Sequence, residues 1–254
     1  MATEATVGRQ LSIVLVVRSV GHTELRTTHR EFHLGAGVDL VVEAGTDTDA
    51  EWILESEENE FWWPRGGSLR EVLDAVPSQY GSIRALVRDF VPVRGDEAFA
   101  ERMIYRLAPS APIAGPGGEA RSAWRLVRRT SAEGPTLRGW YPVEVLRFAV
   151  HDDVAYERNR LEDGLAAGIL RRDTRVRDAL RALAAGQPLS FGPPDVLDDA
   201  EFALDVAVAG ETDVIRAQER LDELERRLSA VESTPAAVLK RKLRAVLSTR
   251  HGRR

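Results

Sequence analysis

The sequence predicts an α/β fold, a sheet of buried strands with helices on both faces. Two short runs rich in Ile, Val and Leu, at residues 11–18 and 38–42, are typical of strands covered on both sides. Between them, residues 23–35 have a helical pattern that ends at Gly35-Ala36-Gly37. The alternation of strand and helix is typical of the α/β class, and 254 residues suffice for one such domain and an appendage.

Later segments continue this pattern. Residues 68–75 are a predicted helix, because Ser68 and Glu71 form a capping box and Pro77 closes the segment. Apolar runs predict strands at 83–93, 103–107, 124–129 and 141–148, and a helix is expected to start within 153–161. The arginines that follow fit a solvated helix face and a binding role equally well: Arg171, Arg172, Arg175 and Arg177.

Composition narrows the class of protein. The net charge of −5 argues against a general nucleic-acid binder. The chain has no cysteine, which excludes disulfides, thiolate zinc sites and cysteine nucleophiles and fits a reducing compartment. The apolar run at 11–17 is short for a membrane span and is followed by no cleavage pattern. We therefore expect a cytoplasmic protein, at most peripheral at the inner face of a membrane.

The most acidic stretch follows a third apolar run. Residues 52–54 predict a buried strand, and 55–60 then carry four carboxylates before the aromatic sequence F-W-W-P at 61–64. Acidic side chains at the carboxyl end of an α/β strand can hold a divalent metal against a diphosphate. The alternative, favoured by spacing alone, is a solvated acidic turn followed by an aromatic plug in the core.

Two further features are candidates for a site. His29 and His33 are four residues apart on the predicted helix, so they share a face; two histidines leave a zinc site short of ligands, which favours a packing role. Asp47 lies in the turn Gly45-Thr46-Asp47 after the second strand, where α/β sheets bind ligands, and it is equally compatible with an ordinary turn.

Several segments resemble family 2 glycosyltransferases with the GT-A fold. Residues 50–54 and 56–64 are similar to the family's A-D-W-V and D-A-D-E-F-W segments, followed by G-S-L at 67–69. The sequence R-G-W-Y-P-V-E-V-L at 138–146 resembles a later piece of the family. The resemblance covers roughly residues 11 to 165 with internal gaps, and it implies a truncated, Rossmann-like GT-A mixed sheet.

The resemblance also implies roles for particular residues. Glu57 and Asn59 align with the family's metal-binding D-A-D, so they would hold Mn or Mg, and Glu60 or another nearby carboxylate would act on the acceptor hydroxyl. Arg18, at the end of the first strand, and Asp47 would contact the nucleotide-sugar. The acceptor would be a glycan or a component of the cell envelope.

The chain departs from the family at the positions that carry chemistry. Glu57 is one methylene longer than Asp, and Asn59 is neutral; restoring Asp at both positions is expected to raise metal affinity. Arg147 stands where the family has a histidine, and a permanent cation cannot replace a metal ligand. Between residues 42 and 52 a short connection replaces the family's additional helix and strand.

These departures leave two hypotheses for function. The favoured one is a catalytically impaired relative that binds a glycan or pairs with an active transferase, with weak or lost affinity for nucleotide-sugar and no cofactor. The alternative is an active metal-dependent glycosyltransferase, in which Mn or Mg would neutralise the leaving diphosphate.

The sequence predicts three parts of the chain: a glycosyltransferase-like domain at 1–185 with a shortened nucleotide half, a Gly- and Pro-rich linker or wrapping loop at 186–198, and a helical extension at 199–254. Within 213–231, apolar residues at heptad spacing favour either a homo- or heterodimeric coiled coil or packing within the chain. Thr234-Pro235 begins a last helix with no acidic residue. Its basic residues would contact an anionic membrane or dock on the acidic body: Lys240, Arg241, Lys242 and Arg244.

Overall fold

The computed structural model describes residues 12–19, 23–93, 95, 97–102, 104–108, 124–130, 133–148 and 158–192, with isolated positions at 203, 204, 206, 207, 210 and 226. The chain divides into two compact units, Met1–Ala209 and Gly210–Arg254, a division that falls later than the predicted linker. The predicted coiled coil at 213–231, apart from position 226, and the basic helix with Lys240, Arg241, Lys242 and Arg244 lie outside the described residues.

The described part of the first unit contains ten strands and five helices. In chain order these are β1 (Ile13–Arg18), α1 (Thr23–Gly35), β2 (Leu40–Glu43), β3 (Trp52–Glu57), β4 (Glu60–Pro64), α2 (Leu69–Asp74), β5 (Ser82–Phe90), α3 (Phe99–Arg102), β6 (Tyr105–Leu107), β7 (Trp124–Arg129), β8 (Thr136–Leu137), β9 (Val143–Phe148), α4 (Arg158–Ala166), β10 (Leu170–Arg172) and α5 (Arg175–Ala184). No described helix is long and apolar enough to cross a membrane.

The strands form one mixed sheet. Its main path runs β10-β6-β5-β7-β3-β1-β2, and β2, β1 and β3 are parallel to one another. β7 is antiparallel to both β3 and β5. β5 also pairs in parallel with β8 and β9, and β9 pairs antiparallel with β4. The predicted mixed α/β class is thus confirmed.

The core lies between one face of this sheet and helices α1, α2 and α5. Leu15 and Leu54 from the parallel strands meet Phe32 of α1, Leu69 of α2 and Val176 of α5 in one buried cluster. Phe191, in the segment predicted as a linker or wrapping loop, is nine-tenths buried against Trp63 and Phe32. This part of the segment therefore wraps the core.

Local sequence signals set several boundaries correctly. Helix α1 has the predicted limits, and α2 starts at the predicted capping box, in which Ser68 and Glu71 each accept a hydrogen bond from the other's main-chain N–H. The aromatic sequence at 61–64 packs in the core, as the alternative of an aromatic plug predicts. It belongs to strand β4, because its main chain pairs with β9, while its first two side chains, Phe61 and Trp62, are fully buried.

Candidate functional site

An open cavity of about 680 Å³ lies at the carboxyl ends of β1 and β3, next to the loop that follows β2. This is the edge at which open α/β sheets commonly bind ligands. Arg18 ends β1, Glu57 ends β3 and Asp47 lies in the loop, and all three line the cavity together with Glu60. Four of the five residues predicted for catalysis, metal and nucleotide-sugar are thus brought together.

The floor of the cavity is a sheet face. Side chains alternate along a strand, so Ile53 and Glu57 of β3 share this face with Val16 of β1 and Leu126 of β7. Leu126 is 41% exposed, whereas Trp124 beside it is buried and stacks on Tyr141 with ring centroids 5.1 Å apart. The cavity therefore joins an apolar floor to a charged rim.

Arg18 and Glu57 are direct register partners on the adjacent parallel strands β1 and β3. Opposite charges in this relation often form an ion pair. Here, within the described residues, the side chains of Arg18, Glu57 and Asp47 make no hydrogen bond or ion pair. These three groups line the cavity with their polar atoms available to a ligand.

Glu60 is engaged inside the protein. Its carboxylate is fully buried, and Oε1 accepts hydrogen bonds from Nη2 and Nε of Arg125 at 2.5 and 3.1 Å. The other oxygen accepts the main-chain N–H of Glu57 at 3.1 Å. Burial lowers the pKa of Arg125, but the charge and hydrogen bonds of Glu60, together with the charges of Glu57 and Asp89, raise it. Glu60 is therefore an ion-pair partner that holds Arg125 at the cavity and is poorly placed to act as a base.

Asn59 does not line the cavity. Its side-chain Nδ2 donates to the main-chain carbonyl of Phe148 at 2.6 Å, and the main-chain carbonyl of Asn59 accepts the N–H of Phe148 at 2.9 Å. Its Oδ1 is buried and has no hydrogen-bond partner among the residues that the structure describes. The neighbouring Glu58 is also buried and accepts from Arg26 at 2.9 Å. The middle of the acidic stretch is thus part of the interior.

Arg147 occupies the position where the resemblance predicts a histidine ligand. Its Nε donates to Oδ1 of Asp89 at 2.5 Å, and both side chains are almost completely buried. Arg147 is also the register partner of Glu60 on β4, and Asp89 is its register partner on β5. This buried ion pair therefore joins β9 to β5. On its other side β9 pairs with β4, which carries Glu60.

His29 and His33 take the packing role rather than that of a metal pair. Nε2 of His29 lies 2.9 Å from the carbonyl oxygen of Glu60, so this nitrogen carries a proton and donates. Nε2 of His33 accepts the N–H of Trp62 at 3.0 Å, so its proton is on Nδ1, which donates to the carbonyl of His29 at 2.7 Å. Burial lowers the pKa of His29 to about 4 and holds the pKa of His33 well below its usual range. Both rings are therefore neutral at pH 7.

A second set of buried charges was not predicted. Glu144 accepts from Arg88 at 2.7 Å and from Arg175 at 2.5 Å, and Arg175 also donates to Asp173, which accepts from Arg106 at 3.1 Å. Burial opposes ionisation of Glu144, but Arg175 and then Arg88 hold its pKa below the usual range. The side chain of Arg175 is 32% exposed, and its ion pair with the buried Glu144 joins α5 to strand β9 of the sheet.

Two arginines of β7, Arg125 and Arg128, also line the cavity and were not predicted from the sequence. Arg128 approaches Glu55 to 3.9 Å at an exposed position. The run W-R-L-V-R-R was predicted as a strand, but Glu60 lies 65 residues before Arg125, and only the fold brings the two together. The signal available in the sequence was the presence of arginines at 125, 128 and 129 within this strand.

The predicted metal residues do not fit a divalent-cation site. A dication needs several oxygen ligands. Asn59 donates to Phe148 and Glu60 is paired with Arg125, so Glu57 is the one residue of the predicted set Glu57, Asn59 and Glu60 whose side chain is left for a cation. Glu55 also lines the cavity and lies 3.9 Å from Arg128. In the part of the chain that the structure describes, no three His, Asp or Glu side chains are grouped as a metal site.

No protein-family model matches the chain. No curated protein matches it either.

Proposed function

We propose that this protein is a non-catalytic relative of family 2 glycosyltransferases, a truncated GT-A-like scaffold that binds a glycan or pairs with an active transferase. Support for the kinship comes from the resembling segments, which supply β3, β4 and β9 of the mixed sheet. Further support comes from the cavity at the carboxyl ends of the parallel strands, where the resemblance implies the ligand.

The observation that carries the non-catalytic assignment is the contact between Glu60 and Arg125. A catalytic carboxylate has to reach a substrate hydroxyl, and Glu60 has one oxygen on Arg125 and the other on the N–H of Glu57. Removing Arg125 would leave a buried, uncompensated carboxylate, which is costly. The pair therefore stabilises the site in an arrangement that favours binding over acid–base chemistry.

The surroundings of Asn59 support the same conclusion. Its amide is used as a donor to Phe148, a role that an aspartate could not take, since a carboxylate only accepts. Arg147, paired with Asp89, adds a permanent positive charge on β9 opposite Glu60 of the acidic stretch. A divalent cation would meet fewer oxygen ligands here than in a conserved D-A-D site.

The second candidate is an active metal-dependent glycosyltransferase. It is favoured by one observation: Glu57 and Asp47 both line the cavity without a partner among the described residues. Two carboxylates would be a minimal set for a metal that retains several waters.

Isothermal titration calorimetry of the full chain with UDP, GDP, UDP-glucose and GDP-mannose, with and without MnCl₂, tests the proposal. We expect affinities of about 1 mM or weaker, no enhancement by manganese, and no transfer or hydrolysis of the sugar above background. Micromolar, manganese-dependent binding or turnover would replace the proposal with the active-enzyme alternative.

A further inference from the structure

The cavity contains more acidic than basic side chains. Three arginines and four carboxylates line it. Arg125 is paired with Glu60 and Arg128 approaches Glu55. What remains unpaired among the described residues is one cation and two anions: Arg18, Glu57 and Asp47.

This balance is unfavourable for a nucleotide diphosphate. Such a ligand carries several negative charges, and bringing it against an excess of carboxylate costs energy unless a cation accompanies it. The predicted metal residues do not supply a suitable site for that cation, because Asn59 and Glu60 are engaged elsewhere.

The same balance suits an uncharged ligand with many hydroxyl groups. A hydroxyl both donates and accepts, so one can donate to the carboxylate of Glu57 while another accepts from the guanidinium of Arg18. Hydrogen bonds to charged groups are roughly twice as strong as neutral ones. As register partners on β1 and β3, these residues lie on adjacent strands about 5 Å apart, a spacing that neighbouring sugar hydroxyls can bridge.

The floor supplies the complementary apolar surface. Val16, Ile53 and Leu126 present aliphatic carbons next to the charged rim, and Leu126 is 41% exposed. A pyranose ring has an apolar face of C–H groups and a rim of hydroxyls, so it can cover this floor while its hydroxyls reach the rim. Apolar lining with a few convergent polar groups is typical of small-molecule sites, and the cavity volume of about 680 Å³ lies in their usual range.

We propose that this cavity binds an uncharged sugar unit of a glycan, with Arg18, Glu57 and Asp47 as the hydroxyl-binding residues and Val16, Ile53 and Leu126 beneath the ring. The inference rests on the proposed function, and it selects glycan binding in the cavity over pairing with a second protein. It departs from what the resemblance implies for the same edge of the sheet, where a nucleotide-sugar would be held by its diphosphate.

The test is saturation-transfer NMR and titration of the full chain with maltotriose, mannotriose and chitotriose, beside UDP and GDP. At about 10 mM ligand this detects binding of millimolar strength. We expect at least one trisaccharide to bind, with little change in affinity between low and high NaCl, because a neutral ligand is not screened by salt. The nucleotides should bind more weakly than that trisaccharide.

Two cavity variants and two matched controls locate the site. Arg18→Met and Glu57→Gln should each weaken trisaccharide binding about tenfold, the usual effect of losing one charge-assisted hydrogen bond. Arg172→Met and Glu162→Gln remove the same charges at exposed positions of β10 and α4 and should leave binding unchanged. Thermal unfolding of all four variants should match the parent, since none of the four side chains has a hydrogen bond or ion pair among the described residues.

Three results would overturn the inference. These are no binding by any trisaccharide, tighter binding of UDP or GDP, or trisaccharide binding that survives both cavity variants. None of them requires transferase activity, so the inference can fail while the proposed non-catalytic function stands. Manganese-dependent sugar transfer would instead refute the proposed function itself.

Discussion

Nε2 of His29 donates a hydrogen bond of 2.9 Å to the main-chain carbonyl of Glu60. This contact joins α1 to the first residue of β4, directly after the turn that carries the acidic stretch. One helical turn later, His33 accepts the N–H of Trp62. These two neutral histidines therefore fix the position of β4 along α1. They thereby also position Glu60 and its partner Arg125.

Stability should fall with acidification because of these histidines. The pKa of His29 is about 4 in the folded protein against 6.5 when unfolded, so the unfolded chain binds more protons between those values. The contribution of His29 to the free energy of unfolding is fully present above pH 6.5 and is lost as the pH falls to about 4. The loss due to His29 alone is about 3 kcal/mol. Urea unfolding at a series of pH values measures it.

Glutamine is the matched control for His29, because its amide can donate to Glu60 without titrating in this range. His29→Gln should reduce the pH dependence between 6.5 and 4 and leave the contribution of His33. An unchanged slope in the variant would show that His29 is not buried as a neutral ring.

Arg125→Met should destabilise the protein by about 3–5 kcal/mol, because Glu60 would remain buried without its partner. The double variant Glu60→Gln, Arg125→Met should lose much less stability than Arg125→Met, since no buried charge is left without a partner. Chemical denaturation of the two single variants and the double variant gives the coupling energy. Additive losses would mean that the ion pair contributes nothing.

Asn59→Asp should destabilise rather than restore a metal site. The substitution replaces the amide that donates to the carbonyl of Phe148 with an oxygen that repels it, at a cost of about 1–3 kcal/mol. The double variant Glu57→Asp, Asn59→Asp, predicted from the sequence to raise manganese affinity, should show that cost together with little gain in metal binding. Calorimetry with MnCl₂ and a thermal scan of the same samples separate the two expectations.

Arg175→Ala should destabilise by about 2–4 kcal/mol, because Glu144 and Asp173 would each keep only one of their arginine partners. Arg177→Ala is the control on the same helix, where the partner Asp178 is exposed and the pair is worth about 0–1 kcal/mol. Equal losses in the two variants would contradict the role of Arg175 as the partner of the buried carboxylates Glu144 and Asp173.

Binding to anionic membranes is predicted for the basic segment after residue 233. The full chain should sediment with phosphatidylglycerol vesicles at low salt, less so at high salt, and not with phosphatidylcholine vesicles. A chain that ends at Ser233 should stay in solution. Equal sedimentation of the two chains would show that the segment is not an anchor and leave docking on the acidic body as the better explanation.

The sequence determined the local structure, because the signals for it lie within a few residues of one another. Helix α1 and strand β7 have their predicted limits, and α2 begins at the predicted cap. The placement of the acidic stretch at the carboxyl end of β3 likewise follows from an apolar run and the polar residues after it.

Only the tertiary structure decided which of those acidic residues line the cavity with carboxylates that are unpaired among the described residues. Glu60 and Arg125 are 65 positions apart, and Asn59 and Phe148 are 89 apart, so neither contact leaves a mark in the local sequence. A buried charge or amide must find a partner wherever the fold places one. The ion pair with Arg125 of β7 holds Glu60 in the interior, and the hydrogen bond to Phe148 of β9 holds Asn59 there. Glu57 and Arg18 remain at the cavity because they end the adjacent parallel strands β3 and β1.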